Sequence, residues 1–189
     1  MTRNGRMLRT LLLLLAFQLT AMADDPVHEF GSWVGVSMGT PIIIGKTEQV
    51  SLRVAGVRYS RTILVRPTMA VRYTLDVIPY ARLSDPNESA IGKGAAPLGF
   101  EMRFRPGARI APLARFAGGF IYFNNDMPRS GGARFNFTAA LGGGVRIGLT
   151  RSIAIEADYA YHHLSNGYRA EVNPGFDSNL VLIGFSLSR

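Results

Sequence analysis

The stretch LGFEMRFR, residues 98–105, decides the fold class because apolar and polar side chains alternate along it. Phe100 and Met102 fall on one face of an extended strand, and Glu101 and Arg103 fall on the other. A period of two residues is typical of a β-strand whose two faces meet different surroundings. The stretch therefore predicts a strand with one apolar face and one charged face.

The same alternation returns along the chain, between clusters of Gly, Pro, Asn and Asp that indicate turns. Residues 63–79 and 134–149 repeat it most clearly, and no helical periodicity of useful length follows the N-terminal segment. We therefore predict an all-β protein. The eight predicted strands cover residues 30–40, 48–59, 62–80, 97–105, 111–123, 134–149, 152–164 and 176–187.

The predicted connections are of two lengths. Those after strands 2, 4 and 6 are short turns, whereas those after strands 3, 5 and 7 are longer loops. Most strands also reach the roughly 9–11 residues that a tilted strand needs to cross a bilayer. Short turns at one end, long loops at the other and an even strand count are the layout of a bacterial outer-membrane barrel. We therefore predict an eight-stranded antiparallel outer-membrane β-barrel with a polar interior.

A soluble eight-stranded barrel of the lipocalin kind has the same alternation, with the apolar face turned inward. The composition of the two faces favours the membrane protein. The polar face mixes glycines with charges of both signs, which can pair as ions inside a narrow barrel, and the opposite face is nearly free of charge over strands 3 to 8. The charged residues are Glu101, Arg103, Arg115, Arg146, Glu156 and Asp158.

The N-terminal segment combines three arginines, a short apolar run and the small residues Ala21 and Ala23. This order is that of a cleaved secretory signal peptide, and the apolar run is too short for a transmembrane anchor. We predict a signal peptide at residues 1–23 and one barrel domain at residues 24–189. The formal net charge of +8 is compatible with anionic lipid partners, and the absence of cysteine excludes thiol chemistry.

The sequence YHHLSNG, residues 161–167, ends the seventh predicted strand. Strand parity places His163 and Ser165 on the apolar face and His162 on the polar face. Two residues along a strand are about 6.6 Å apart at the backbone, so an imidazole can reach a serine hydroxyl. Asp177 falls on the apolar face of the neighbouring strand at the same end and can orient the imidazole. Parity alone leaves open both a catalytic triad and the polar fringe of a strand that leaves the bilayer.

YHHLSNG followed by NPGFDSNLVLIGFS resembles the C-terminal signature of the lipid A 3-O-deacylase family of the PagL type. The members of that family are eight-stranded outer-membrane barrels with a His-x-Ser-Asn motif and a downstream acidic residue. The resemblance implies that His163 is the general base, Ser165 the nucleophile and Asp177 the acid that orients His163. It also implies an oxyanion hole formed by Asn166 and the Gly167 backbone N–H. Family members can carry Glu in place of Asp177, and an aspartate is shorter by one methylene.

The same resemblance implies a carboxylic ester hydrolase that removes the 3-O-linked acyl chain of lipid A in the outer leaflet. It implies no cofactor and no nucleic-acid partner, and it is compatible with a homodimer. The basic loop residues Lys93, Arg129 and Arg169 are candidates for contacts with lipid phosphates, although solvated loop charges are the more ordinary interpretation.

Two alternatives stay open. His162 with Glu156 and Asp158 has the composition of a metal site, but alternate positions along one strand favour an interior polar network. A non-catalytic barrel, whose loops bind a surface partner, would depend on residues 84–95 and 124–133 rather than on the histidines.

Overall fold

The computed structural model describes residues 26–188, so the predicted signal peptide at residues 1–23 lies outside the described residues. That part of the chain contains no helix long and apolar enough to cross a membrane. It forms a closed barrel in which each strand pairs antiparallel with the next and the first pairs with the last, which confirms the predicted fold. The strands are β1 (His28–Ser37), β2 (Ser51–Val65), β3 (Met69–Ser84), β4 (Ser89–Phe104), β5 (Ile110–Met127), β6 (Ala133–Gly148), β7 (Ile153–Ser165) and β8 (Phe176–Ser188).

Turns and loops lie at opposite ends of the barrel. At one end, residues 66–68, 105–109 and 149–152 form the turns. At the other end, residues 38–50, 85–88, 128–132 and 166–175 form the loops. Residues 38–50, called the first loop here, are the longest of these connections, and the sequence did not single them out. Residues 166–175 are called the last loop.

The turn between β2 and β3 lies further along the chain than predicted. The prediction placed it at Ser60 and Arg61, but Ser60 is buried inside the barrel. The observed turn contains Pro67, which has no N–H group and suits a turn better than the middle of a sheet. It is closed by the Arg66 N–H, which donates to the Met69 carbonyl at 2.8 Å. A polar residue predicted to form a turn is thus part of the polar interior.

Strand β4 begins at Ser89, several residues before its predicted start. Its first half is rich in Gly and Ala, which reads as a loop in the sequence. Glycine is required there because the neighbouring backbone is close: a Cβ atom on Gly94 would lie 1.9 Å from the Phe120 carbonyl oxygen. Residues 89–95 and 124–127 are therefore strand residues, which contradicts their prediction as parts of surface loops.

The half of the interior next to the turns is filled by charged side chains. Arg103 contacts Glu101 at 2.8 Å and Glu29 at 3.1 Å. Arg115 contacts both Glu101 and Asp158. Each of these charges meets charges of opposite sign, as burial away from water requires. The set, called the interior ion cluster here, comprises Glu29, Arg72, Glu101, Arg103, Arg115, Arg146, Glu156 and Asp158.

The half of the interior next to the loops is apolar. Leu52, Ile78, Phe123 and Leu164 are among the buried side chains that pack together there. A cavity of about 70 Å³ lies between the two halves. The interior is therefore occupied mainly by the side chains of the barrel itself.

The outer wall of the barrel is apolar. Leu98, Leu141 and Ile183 are each more than half exposed. An apolar wall around a charged interior is the arrangement of a membrane-spanning barrel, and a lipocalin-like ligand binder has the opposite one. This confirms the predicted orientation of the two faces.

Candidate active site

His163 and Asp177 lie side by side on the outer wall, near the loop end of β7 and β8. They are partners in the β7–β8 register, and strand parity turns both side chains outward. His163 Nδ1 lies 2.7 Å from Asp177 Oδ1, the distance of a charge-assisted hydrogen bond. The shorter aspartate thus reaches the imidazole. An acid in this position holds the proton on Nδ1 and leaves Nε2 as the basic nitrogen.

The second carboxylate oxygen of Asp177 is held by the backbone of the first loop. The N–H groups of Ile43, Ile44 and Gly45 each donate to Asp177 Oδ2 at 2.9 Å. Together with His163 they enclose the carboxylate, and only 1% of Asp177 is exposed. Donors that surround a carboxylate stabilise its anionic form. The first loop therefore maintains a negative charge next to the imidazole.

Two glycines allow the first loop to lie against the last loop. Thr47 Oγ1 donates to the Gly175 carbonyl at 2.9 Å. A Cβ atom on Gly45 would lie 2.9 Å from that same carbonyl group, closer than real Cβ contacts. Gly175 has a φ of +67°, and a Cβ atom there would lie 3.0 Å from His163 Cε1. Both positions need glycine, so the packing of the two loops and the position of the imidazole depend on each other.

Ser165 is the last residue of β7 and follows His163 on the outer face. Its side chain is partly exposed, with Phe137 of β6 as its register partner. Within residues 26–188, the Ser165 hydroxyl makes no hydrogen bond with the His163 ring. Contacts between a nucleophile and its base are often long in a site without substrate and shorten when substrate binds. The structure thus shows a hydrogen bond between Asp177 and His163, and it places Ser165 two residues after His163 on the same face of β7.

The residues predicted for the oxyanion hole have different surroundings. Asn166 is buried, its backbone N–H donates to Asn173 Oδ1 at 3.0 Å, and its side-chain amide donates to the Val172 carbonyl at 2.8 Å. Gly167 has a φ of +64° and packs against the ring of Phe137. In the described chain, the Gly167 N–H donates to no other residue. Asn166 therefore holds the last loop in shape, and Gly167 presents an available donor beside Ser165.

An aromatic cluster with a cation lies on the β6 side of Ser165. Phe120 stacks on Phe135 at 5.5 Å between ring centroids, and Phe135 meets Phe137 edge-on at 5.1 Å. The guanidinium of Arg169, from the last loop, lies 5.1 Å from the Phe135 centroid. This is a cation–π contact that fixes a positive charge on the outer surface near Ser165.

His162, although adjacent to His163, belongs to the interior. Its Nε2 contacts Thr138 Oγ1, and the ring is almost completely buried. Glu156 and Asp158 both contact Arg115 in the interior ion cluster. These contacts favour a polar network over a metal site. Within residues 26–188 no group of three or more His, Cys, Asp and Glu side chains is arranged to hold a metal ion.

Sequence reasoning missed the contribution of the first loop. The groups that hold Asp177 are backbone N–H groups, which every residue except proline possesses. They therefore leave no side-chain pattern in the sequence. The one available sign was the unusual stretch PIIIG at residues 41–45, in which three bulky apolar residues in a loop precede a glycine.

Known proteins provide an independent comparison. The sequence profile of the family described as lipid A 3-O-deacylase (PagL) matches residues 55–186. No curated protein sequence is significantly similar to the chain. Among solved structures, the outer membrane enzyme PagL superposes with a TM-score of 0.57 at 16% identity, over 82% of this chain and 97% of that one. Neisserial surface protein A (NspA) superposes with a TM-score of 0.51 at 14% identity, over 88% of this chain and 100% of that one.

At these identities the two structures support the fold alone. The family profile covers β3 to β7 completely, most of β2 and β8, and both His163 and Asp177. The chain therefore belongs to the PagL family of lipid A 3-O-deacylases, which are β-barrels of the bacterial outer membrane.

Proposed function

We propose that this chain is an outer-membrane serine esterase that removes the 3-O-linked acyl chain of lipid A. Membership of the family supports a hydrolase that acts on lipid A. The observation that carries the assignment of residues is the contact between His163 and Asp177 on the outer wall. In this proposal Ser165 is the nucleophile, His163 the general base and Asp177 the acid.

The first half of the reaction transfers the acyl group to Ser165. His163 Nε2 takes the proton from Ser165 Oγ as Oγ attacks the ester carbonyl carbon, which gives a tetrahedral intermediate with a negative oxygen. The bond between that carbon and the sugar 3-oxygen then breaks, and the 3-oxygen receives the proton from Nε2. The products are an acyl-serine and a sugar hydroxyl. Asp177 stabilises the imidazolium that forms in between.

The second half of the reaction releases the fatty acid. Water attacks the acyl carbonyl carbon while His163 Nε2 takes one of its protons. The second tetrahedral intermediate then breaks its bond to Ser165 Oγ, which regains a proton from Nε2. The enzyme returns to its starting state, and one ester bond has been hydrolysed by one water molecule.

The negative oxygen of each intermediate needs a donor close to Ser165. We assign this part to the Gly167 N–H, which lies two residues along the chain and has no partner among the described residues. Asn166 supports it by holding the last loop through its contacts with Val172 and Asn173. The two residues thus divide the role that the family resemblance gave to both.

The position of the site suits a lipid substrate. The interior of the barrel is filled by ions and apolar side chains, whereas His163 and Ser165 lie on the apolar outer wall near its loop end. An outer-leaflet glycolipid carries its ester bonds close to the head-group boundary. Such a substrate reaches the site by lateral diffusion and does not have to leave the bilayer.

Arg169 is the basic residue best placed for a lipid phosphate. Its guanidinium is held over the aromatic cluster, next to Ser165, and the residue is exposed. Arg129 is instead 3.6 Å from Glu88 in an ion pair. We therefore assign a phosphate contact to Arg169 before the other loop cations.

The direct test is the mass of lipid A from cells that produce the wild type or Ser165→Ala. The wild type should remove one 3-hydroxyacyl group, and Ser165→Ala should remove none because it lacks the nucleophile. Ser89→Ala, at the loop end of β4 away from the site, is the matched control and should behave as the wild type. Heat-modifiable migration in gel electrophoresis checks that each variant is folded.

Unchanged lipid A in cells that contain the folded wild type would contradict the esterase. That result would favour a non-catalytic barrel. Deacylation by folded Ser165→Ala would contradict the assignment of the nucleophile and leave the lipid A hydrolase in place.

A further inference from the structure

Three consecutive isoleucines stand exposed in the first loop. Ile42, Ile43 and Ile44 are 58%, 69% and 62% exposed. Residues 42–44 are called the isoleucine segment here. A contiguous exposed apolar surface of this kind marks a contact with a membrane or a partner.

The isoleucine segment lies outside the barrel wall. Asp177 shares the outer face of β8 with Val181 and Ile183, so its carboxylate points away from the interior. That carboxylate is nevertheless buried, because the N–H groups of residues 43–45 cover it from outside. The segment therefore lies on the outer surface of β8, next to His163.

This location indicates what the segment contacts. Below it, the outer wall continues with the exposed side chains of Val34, Val181 and Ile183, which face the lipid in an outer-membrane barrel. Two residues after it comes the exposed Lys46, whose charge suits the anionic head-group region. An apolar surface continuous with the lipid-facing wall and flanked by a lysine fits the boundary between acyl chains and head groups.

We propose that the isoleucine segment inserts into the outer leaflet and that this insertion positions the acid of the active site. The side chains of residues 42–44 contact the hydrocarbon of the surrounding lipids. The backbone of residues 43–45 at the same time donates three hydrogen bonds to Asp177. One short segment thus connects contact with lipid to the orientation of His163. The second part of this inference rests on the proposed function, whereas the first part stands without it.

The physical basis of the connection is that Ile43 and Ile44 take part in both roles, through their side chains and their backbone N–H groups. In water, three exposed isoleucines favour any rearrangement of the loop that buries them. In a bilayer, the same side chains contact hydrocarbon without any rearrangement of the loop. The backbone of the loop then remains in place to donate hydrogen bonds to Asp177. The residues of this segment are therefore positioning residues, and lipid contact should raise the turnover of the enzyme and not only its affinity for the substrate.

Lipid contact can be measured without any enzymatic activity. Ile43→Trp introduces an indole into the segment, in a chain whose single native tryptophan, Trp33, faces the inside of the barrel. In vesicles of lipids with bromine near the carbonyl end of the acyl chains, we expect quenching beyond that of the parent protein. Glu48→Trp, exposed in the same loop but outside the segment, is the matched control and should be quenched much less. If Ile43→Trp had the same fluorescence intensity in brominated and unbrominated vesicles, the insertion of the segment would be overturned.

The positioning role is measured with the triple variant Ile42→Ser/Ile43→Ser/Ile44→Ser, which retains every backbone N–H. On lipid A in vesicles, we expect kcat per folded enzyme to fall about tenfold because apolar area that favours the inserted loop is lost. The corresponding triple leucine variant keeps the apolar area and should recover most of the rate. Ile91→Ser, an exposed isoleucine on β4, is the control for a general effect of polar substitutions on the outer wall.

The outcomes separate the two proposals. A rise in KM with unchanged kcat would overturn the positioning role, because it would reduce the segment to a binding surface. A wild type without deacylase activity would overturn the proposed function, and the quenching result would still decide whether the segment inserts.

Discussion

His162 and His163 are neighbours in β7, and the wall of the barrel separates them. His162 is enclosed in the interior, where its Nε2 contacts a threonine hydroxyl. His163 lies on the outside, where its Nδ1 contacts Asp177, and Ser165 follows two residues later on the same face. Both are imidazoles with a polar partner, and both lie in the same strand of the same sheet.

The carboxylates on the two sides of the wall differ in their partners. Inside, Glu101, Glu156 and Asp158 are neutralised by arginine side chains. Outside, Asp177 is held by backbone N–H groups and one imidazole, so its charge remains available to that imidazole. The difference teaches that a carboxylate neutralised by arginine serves the fold, whereas a carboxylate held by neutral donors can assist a proton transfer.

The largest expected effect comes from His163→Gln. Loss of the proposed general base should lower deacylation about 10⁶-fold, to the level at which no product is detected. The amide cannot take the proton from Ser165, while the barrel should stay folded because the ring lies outside the interior. Fatty acid release from purified lipid A measures the rate. A rate within tenfold of the wild type would place the base elsewhere.

Asp177→Asn should have the next largest effect. The amide retains an oxygen for the first loop but no longer fixes the tautomer of His163, so we expect a loss of about 10⁴-fold in kcat. The same release assay applies, with gel mobility as the check of folding. A small loss would show that the negative charge on the outer wall is not needed, and the contrast with the interior carboxylates would disappear.

Glu101→Gln tests the interior side of the comparison. It removes a charge that compensates Arg103 and Arg115, and one-sided loss of a buried ion pair costs about 3–5 kcal/mol of unfolding free energy. Denaturant titration of the protein in lipid vesicles measures this cost. Turnover per folded molecule should not change. Asp126→Asn, which affects an exposed pair with Arg134, is the matched control and should cost less than about 1 kcal/mol.

His162→Gln should have the smallest effect. Gln can keep a hydrogen bond with Thr138, so we expect a cost of about 1 kcal/mol of unfolding free energy. Deacylation should remain within about twofold of the wild type because nothing outside the wall changes. The unfolding free energy and the deacylation rate of the variant, measured on the same preparation, test both expectations. A severe loss of activity in the folded variant would mean that the two sides of β7 are coupled.

The sequence predicted the fold well wherever alternate side chains differ in polarity. Residues 98–105 show the principle, because every second residue meets either ions or lipid. The prediction was wrong at the start of β4, where Gly92 and Gly94 supply no side chain to alternate. It was also wrong at the β2–β3 turn, because a polar residue such as Ser60 suits both a turn and a polar interior.

The candidate site was predictable to the extent that it depends on side chains. Parity separates His162 from His163, and the register of adjacent strands brings Asp177 to His163. The support from residues 43–45 was not predictable. It joins backbone groups to a side chain more than a hundred residues away, and such a contact becomes visible only when the barrel is closed.

That distance has a consequence for the assembly of the protein. The loop that holds Asp177 follows the first strand, and Asp177 is the second residue of the last strand, so the two meet only across the seam where β1 pairs with β8. An open sheet in transit to the membrane lacks this support. In the proposed hydrolase, Asp177 therefore gains the three backbone donors of residues 43–45 only when the seam closes, so the support of the acid depends on closure of the barrel.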